Sequence, residues 1–201
     1  MKNKYLVFFA LFLFLVGFVN AQVRFGGRVS GSISNITDVH ANSKSRGGFM
    51  IGALALIPIS NNDLWFFQPE INYSAQGEFD QHFRSDGDYK QKIFLSFINV
   101  PLNVKLYFTD AESEFFVEGG PYFGIKIGES IQKLPFGTKA DEYEYSGFDF
   151  GANLGIGFSL DRNFEASLRY YYGFADQVKN DAAKTNNHTS ILNLGISYIL
   201  P

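Results

Sequence analysis

The segment Phe148-Asp149-Phe150-Gly151-Ala152-Asn153-Leu154-Gly155-Ile156-Gly157-Phe158-Ser159-Leu160 decides how the rest of the chain is read. Its even-numbered positions are all apolar, and its odd-numbered positions are aspartate, glycine, asparagine and serine. A period of two is the spacing at which successive side chains leave opposite faces of an extended strand, and no helical period accommodates it. The segment is therefore expected to be a strand with one oily face and one face of small or polar groups.

The same alternation recurs on both sides of it. Downstream, Phe164, Ala166, Leu168, Tyr170 and Tyr172 oppose Glu165, Ser167 and Arg169, and Leu192, Leu194, Ile196 and Tyr198 oppose Asn193, Gly195 and Ser197. Upstream, Phe115, Val117, Phe123, Ile125 and Ile127 stand against Glu118, Tyr122 and Lys126. Further back, Ile98, Val100, Leu102, Val104 and Leu106 stand against Asn99, Asn103 and Lys105, and Trp65, Phe67, Ile71, Tyr73 and Ala75 against Gln68, Glu70, Asn72, Ser74 and Gln76. The first case puts Val23, Phe25, Val29 and Ile33 on one face and Arg24, Arg28, Ser30 and Ser32 on the other. Eight strands are predicted, at about 22–34, 48–57, 64–76, 93–108, 115–127, 148–160, 164–174 and 190–200; the second is apolar on both faces.

The connections alternate in length. Those at 60–63, 109–114 and 161–163 are short, whereas 35–47, 77–92, 128–147 and 175–189 are long. An even strand count with tight turns at one end and long loops at the other is the pattern of an outer-membrane barrel whose two chain ends are periplasmic. Hydrocarbon offers backbone groups no hydrogen bonds, so a spanning sheet must close on itself, and tilted strands of about 9–11 residues reach across. The expected fold is an all-β, eight-stranded antiparallel up-and-down transmembrane barrel over 22–201.

Composition agrees. The chain of 201 residues holds 23 Phe and 11 Tyr while only 18% of residues are charged, more aromatic surface than a small water-soluble core needs. Cysteine is absent, which excludes disulfides, thiolate metal sites, a cysteine nucleophile and a lipidated N-terminal cysteine. A net charge of −3 suggests no nucleic-acid partner. Lys2 and Lys4 precede an apolar run over 5–19, and Val19-Asn20-Ala21 suits the positions before a cleavage site, so 1–21 reads as an export signal and the mature chain as starting at Gln22. A spanning anchor needs about 20 apolar residues, and this run is shorter.

The lipid is expected to meet the oily face, because a barrel of eight strands has an interior just wide enough for side chains to fill, which suits glycine, serine and asparagine. Charges on the polar face are nearly balanced: Arg24, Arg28, Lys105, Lys126 and Arg169 against Glu70, Glu118, Asp149 and Glu165. Buried charges require partners, so these nine are expected to form a structural ion-pair network inside the lumen. Aromatics at strand ends (Trp65, Tyr73, Tyr107, Phe108, Phe115, Phe148, Phe164, Tyr172, Phe174 and Tyr198) suit two interfacial girdles. Pro69, Pro101 and Pro121 fall inside predicted strands, where the missing N–H predicts a bulge or a local gap in the ladder.

Those prolines also carry a likeness. Gln68-Pro69-Glu70-Ile71-Asn72-Tyr73-Ser74, Asn99-Val100-Pro101-Leu102-Asn103-Val104-Lys105-Leu106-Tyr107-Phe108 and Glu118-Gly119-Gly120-Pro121-Tyr122-Phe123-Gly124 resemble the PorT-like outer-membrane β-barrel family of Bacteroidetes-type bacteria. Phe25-Gly26-Gly27-Arg28-Val29-Ser30 and the stretch from Phe150 to Gly157 extend the resemblance over the mature chain. It implies an outer-membrane barrel and, through the family's namesake, a part in protein secretion and the maturation of exported proteases.

Catalytic and metal chemistry find little support. His40, His82 and His188 fall in long loops with Asp38, Asp80 and Asp86 near two of them, but no close spacing supplies a ligand set. Glu70 with Glu118, or Asp149 with Glu165, could act as an acid–base pair, yet basic neighbours favour ion pairing. Ser30, Ser32, Ser74 and Ser167 have no strand histidine to activate them, and the glycines at 26–31 and 151–157 open no helix that could hold a phosphate. The acids at 78–88 and 141–144 read as hydrated loops rather than a calcium site. The expectation is a non-enzymatic barrel without cofactor, in contact with outer-membrane lipid and, through its loops, with other envelope or secretion proteins. A secretion accessory, a narrow channel and a lipid-modifying barrel are the alternatives.

Overall fold

The structure, a computed structural model, describes residues 23–36, 43–85, 87–136, 144–178 and 187–201. The expected export signal lies outside them, as do His40, Asp38, Asp86 and Asp141. Alternating sequence becomes strand at each expected place: β1 (Arg24–Ile36), β2 (Ser43–Pro58), β3 (Trp65–Arg84), β4 (Gly87–Tyr107), β5 (Ser113–Ile131), β6 (Phe148–Leu160), β7 (Phe164–Gly173) and β8 (Thr189–Ile199). Each pairs antiparallel with its sequence neighbours, and β1 pairs with β8, for example Arg28 opposite Ser197, so the sheet closes and has no edge across the membrane.

Side-chain direction follows the two-residue period without exception along β6, where Leu154 is 70% exposed between the buried Asn153 and the lumen-facing Gly155. Leu194 and Ile196 are 66% and 62% exposed, whereas Arg169 is 1% exposed. Oil outside and charge inside is the reverse of a water-soluble barrel, and it is the arrangement in which lipid contacts apolar groups while every backbone bond is made within the sheet.

Short turns join β2 to β3, β4 to β5 and β6 to β7. The last is formed by Asp161 and Arg162, both left-handed at φ 51° and 53°, the twist that suits a tight hairpin. Both ends of the barrel sequence meet at this same side, where the Leu200 N–H donates to the Phe25 carbonyl.

Two expectations need correction, and one is decided between its alternatives. The segment expected as the long loop 77–92 is mostly strand: β3 and β4 run to 20 and 21 residues and pair as far as Arg84 opposite Gly87, so a ribbon projects past the membrane. Past the lipid the outward positions are free to be polar, as at Lys90 and Lys92, while the inward ones are polar though buried, as at Glu78, Asp80 and Gln91, so the oily alternation that marks a spanning strand disappears and polar sequence passes for loop. Gly87, at φ 144° beside the ribbon's tip, occupies backbone space that other residues avoid.

Second, the prolines, expected to make a bulge or a local gap in the ladder, make no bulge. The register shifts fall at Ser45/Phe49 and Ser96/Phe97, not at a proline. Pairing instead lapses without change of register between Pro69 opposite Leu102 and Asn72 opposite Asn99, and between Pro101 opposite Tyr122 and Val104 opposite Gly119. Along β6 the pairing passes through Pro121 uninterrupted. The ladder tolerates a missing donor by skipping a bond rather than by bulging.

Third, Tyr107 does not belong to a girdle. Trp65, Phe108, Phe115, Phe164 and Tyr198 ring the short-turn end and Phe148, Tyr172 and Phe174 the other, all outward, while Tyr107 is fully buried in the lumen. It shares the parity of Asn103 and Lys105, which places it inside.

Candidate functional site in the barrel lumen

From the short-turn end upward, the lumen is filled in layers. The lowest is apolar, formed by Leu54, Leu56, Phe66, Tyr107, Phe116 and Ile199. The inward leucines explain why β2 reads as apolar on both faces: its inner face supplies this layer. Phe66 and Phe116 set their rings against Tyr107 at centroid distances of 5.4 and 5.6 Å.

Above it lies a layer of charge. Arg169, on β7, is bidentate to two carboxylates at once: Nε and Nη2 donate to Glu118 at 2.5 and 2.8 Å, and Nη1 and Nη2 to Glu70 at 2.9 and 2.7 Å. Nη1 also reaches the Tyr171 hydroxyl at 3.3 Å. Glu70 accepts two further bonds, from Gln68 at 2.6 Å and Asn72 at 2.9 Å. Lys105 donates to Glu165 at 2.6 Å and stands 3.7 Å from Glu118, and the Tyr107 hydroxyl donates to the other Glu165 oxygen at 2.5 Å. Among the described residues Arg28 has no carboxylate in direct contact; it donates to Ser167 at 2.6 Å, to Asn193 at 3.0 Å and to Ser197 at 3.3 Å. Arg28, Lys105 and Arg169 balance Glu70, Glu118 and Glu165, so the layer is neutral and each of its charged groups is hydrogen-bonded, the condition under which buried charge is tolerated.

Small residues make room for it. A Cβ on Gly155 would stand 2.8 Å from Arg169 Cγ and 3.2 Å from Glu118 Cγ, so this glycine on β6 lets the guanidinium cross to both acids. Higher up, Tyr122, Tyr171, Met50 and Ile191 form a second apolar layer. Asp149 lies there, accepting from the Tyr122 hydroxyl at 2.9 Å. At the long-loop end Tyr145 and Val178, bridged to each other, pack on Ile36, Ile93, Leu95 and Phe97.

Of the nine charges read from the sequence, six thus share one layer and Asp149 sits apart from them. Two lie at the ends. Lys126 bonds Glu129 and the Tyr145 carbonyl, and Arg24 bonds the Leu200 carbonyl and Asn163. Sequence reasoning missed Gln68, Tyr107 and Tyr171 as members of the charged layer; the parity of Tyr107 and Tyr171 with their strands' polar residues was the available signal. In the β6–β7 turn, outside the spanning strands, burial opposes the charge of Arg162, but the Glu114 carboxylate at 2.6 Å and Asp110 at 3.2 Å hold its protonation above the usual arginine range.

Chemically the layer is quiet. The acids Glu70, Glu118 and Glu165 are engaged by cations, and Ser30 and Ser167 serve Asn193 and Arg28. His82 lies out on the ribbon, 3.1 Å from Asp80. Among the described residues no group of three His, Cys, Asp or Glu converges on a point where a metal could sit.

A closed ring of eight antiparallel strands, oily outside and ionic inside, defines an integral barrel protein of the bacterial outer membrane. The chain belongs to the outer membrane protein beta-barrel domain family, whose model matches residues 13–178. No curated protein matches its sequence. Among solved structures it is similar to the outer membrane enzyme PagL, with a TM-score of 0.52 at 11% identity over 85% of this chain and 98% of that one. Neisserial surface protein A gives 0.49 at 13% identity, over 87% and 96%. Ail, the attachment invasion locus protein of Yersinia pestis, gives 0.44 at 12% identity, over 88% and 98%. At such identities the likeness to PagL concerns the fold alone.

Proposed function

We propose that this is a non-enzymatic outer-membrane barrel whose lumen is a structural ion-pair plug and whose long-loop end serves interactions in the cell envelope. One observation carries the reading: Arg169 spans the lumen between Glu70 and Glu118, with apolar clusters below and above, so packed side chains cross the axis where a hydrated ion would have to pass. Added to a planar phospholipid bilayer, the folded chain is expected to give no stepwise current at 100 mM salt or above; stable unitary conductance would overturn the plug. The reading places residues 1–21 as a cleaved export signal and both ends of the mature chain in the periplasm, with residues 22–201 as one domain. An intact mass starting at Gln22, for protein taken from the outer membrane, checks the first of these.

A second reading is favoured by the three proline-bearing segments. They resemble the PorT-like family, and they lie side by side on β3, β4 and β5, where Pro69 pairs with Leu102 and Pro101 with Tyr122. This reading makes the protein an accessory of secretion across the outer membrane, acting through its loops on other envelope proteins. Deletion of the gene is then expected to leave exported proteases unprocessed or inside the cell, and an unaltered secretome would remove the role.

A further inference from the structure

The lipid-facing surface is not uniformly convex. At the short-turn end a groove of about 740 Å³ runs over β7, β8 and β1, walled by Phe25, Phe164, Ile196, Tyr198 and Leu200. Beside it, over β5, β6 and β7, lies a second recess of about 410 Å³ that reaches Leu168 and Leu194. Phe158 and Ala166 line both, so the two adjoin.

The floor of the first is Gly27. A Cβ there would meet only the Gly52 carbonyl oxygen, at 3.7 Å, an ordinary contact. Lumen glycines are different, since at Gly151 the nearest atom would be 2.0 Å away. Neither backbone conformation nor packing therefore demands glycine at position 27, and its missing side chain is what leaves the groove open.

Arg24 stands at the rim of the barrel beside Leu200, one of the residues that line the groove. Its guanidinium donates to the Leu200 carbonyl at 3.0 Å and to the Asn163 side chain, both neutral acceptors. Among the described residues it has no carboxylate partner, whereas Arg162 in the adjoining turn has two. The two acceptors of Arg24 adjoin ring-bearing residues of the groove, Asn163 preceding Phe164 and Leu200 following Tyr198 by two residues, and such rings belong at headgroup depth. An arginine presenting donors at that depth suits a phosphate, which it can bind bidentately.

We propose that this surface holds one diacyl glycerophospholipid of the leaflet at the short-turn end, its two acyl chains in the adjoining recesses and its phosphodiester on Arg24. The pairing of two apolar recesses with a single uncompensated cation favours a two-chain anionic lipid over a second copy of the protein, which brings no matched charge. The site rests on the placement in the membrane alone and stands whether or not the lumen conducts.

Native mass spectrometry of the mature barrel in nonionic detergent tests it, with dioleoylphosphatidylglycerol and, separately, dioleoylglycerol as probes. One phosphatidylglycerol is expected to stay bound per barrel. Arg24→Gln should weaken its retention about tenfold while leaving dioleoylglycerol unaffected, and Arg24→Lys should restore part of the difference. Gly27→Leu should weaken both probes; the heat-modifiable shift of the folded barrel on gels confirms that the variant folds, and Ala166→Leu makes the same test from the shared wall. Equal phosphatidylglycerol retention by wild type, Arg24→Gln and Gly27→Leu would overturn the site. So would a dimer mass in place of the lipid adduct.

Discussion

Replacing Arg169 with methionine is expected to cost the barrel roughly 3–5 kcal/mol, the range seen when one partner of a buried ion pair is removed. Among the described residues the guanidinium is the only group in direct contact with both Glu70 and Glu118, and all three are essentially excluded from solvent. Without it two carboxylates remain near each other, with Lys105 at 3.7 Å from Glu118 as the nearest remaining compensation. Urea titration in phospholipid vesicles, read by the heat-modifiable shift on gels, measures the loss. Combining Arg169→Met with Glu70→Gln and Glu118→Gln should recover most of it, because the orphaned charge rather than the lost contact dominates the cost. A single-variant loss below about 1 kcal/mol would mean that water replaces the guanidinium, and the plug would have to be redrawn as a wet channel.

Gly151→Val is expected to be as damaging for a steric reason. A Cβ at that position would stand 2.0 Å from the Tyr172 carbonyl oxygen, 2.7 Å from the Tyr122 ring and 2.8 Å from Gly173 Cα. Two of these neighbours are backbone of the paired strand and cannot rotate away, so the β6–β7 ladder must spread. A loss of about 3 kcal/mol or more is expected, at the upper end of overpacking costs. Gly27→Val, on the lipid face of β1, is the matched control and should change stability by less than about 0.5 kcal/mol, as surface substitutions do. Both are read by the same titration. Equal behaviour of the two variants would contradict the assignment of inner and outer faces.

Much of this was legible in residue order. β6 was read with both ends correct and β7 and β8 to within a residue at each end, because lipid on one side and a crowded lumen on the other enforce strict alternation there. The tops of β3, β4 and β5 were not legible, since beyond the bilayer the constraint on the outer face is lifted and polar residues on both faces resemble a loop. Tyr107 was misplaced because its position near a strand end suggested a girdle, although its parity with Lys105 pointed inward. Within the lumen, which residues face the axis could be counted off from Arg28, Glu70, Lys105, Glu118, Asp149, Glu165 and Arg169. Arg24 and Lys126 share that parity but lie too near the ends to be enclosed.

Order along the chain determined that this protein is a membrane barrel, which side of each spanning strand meets lipid, and which charges turn inward, because a period of two is a local property that needs no partner to be read. Only the closed structure decided which charge meets which. Arg169 lies 51 residues from Glu118 and 99 from Glu70, and the three come to one height because strand tilt and register on closure set how far each strand is displaced along the axis. The lipid-side groove over Gly27 is likewise invisible in sequence, since its walls come from strands at the two ends of the chain that become neighbours only when β8 pairs with β1.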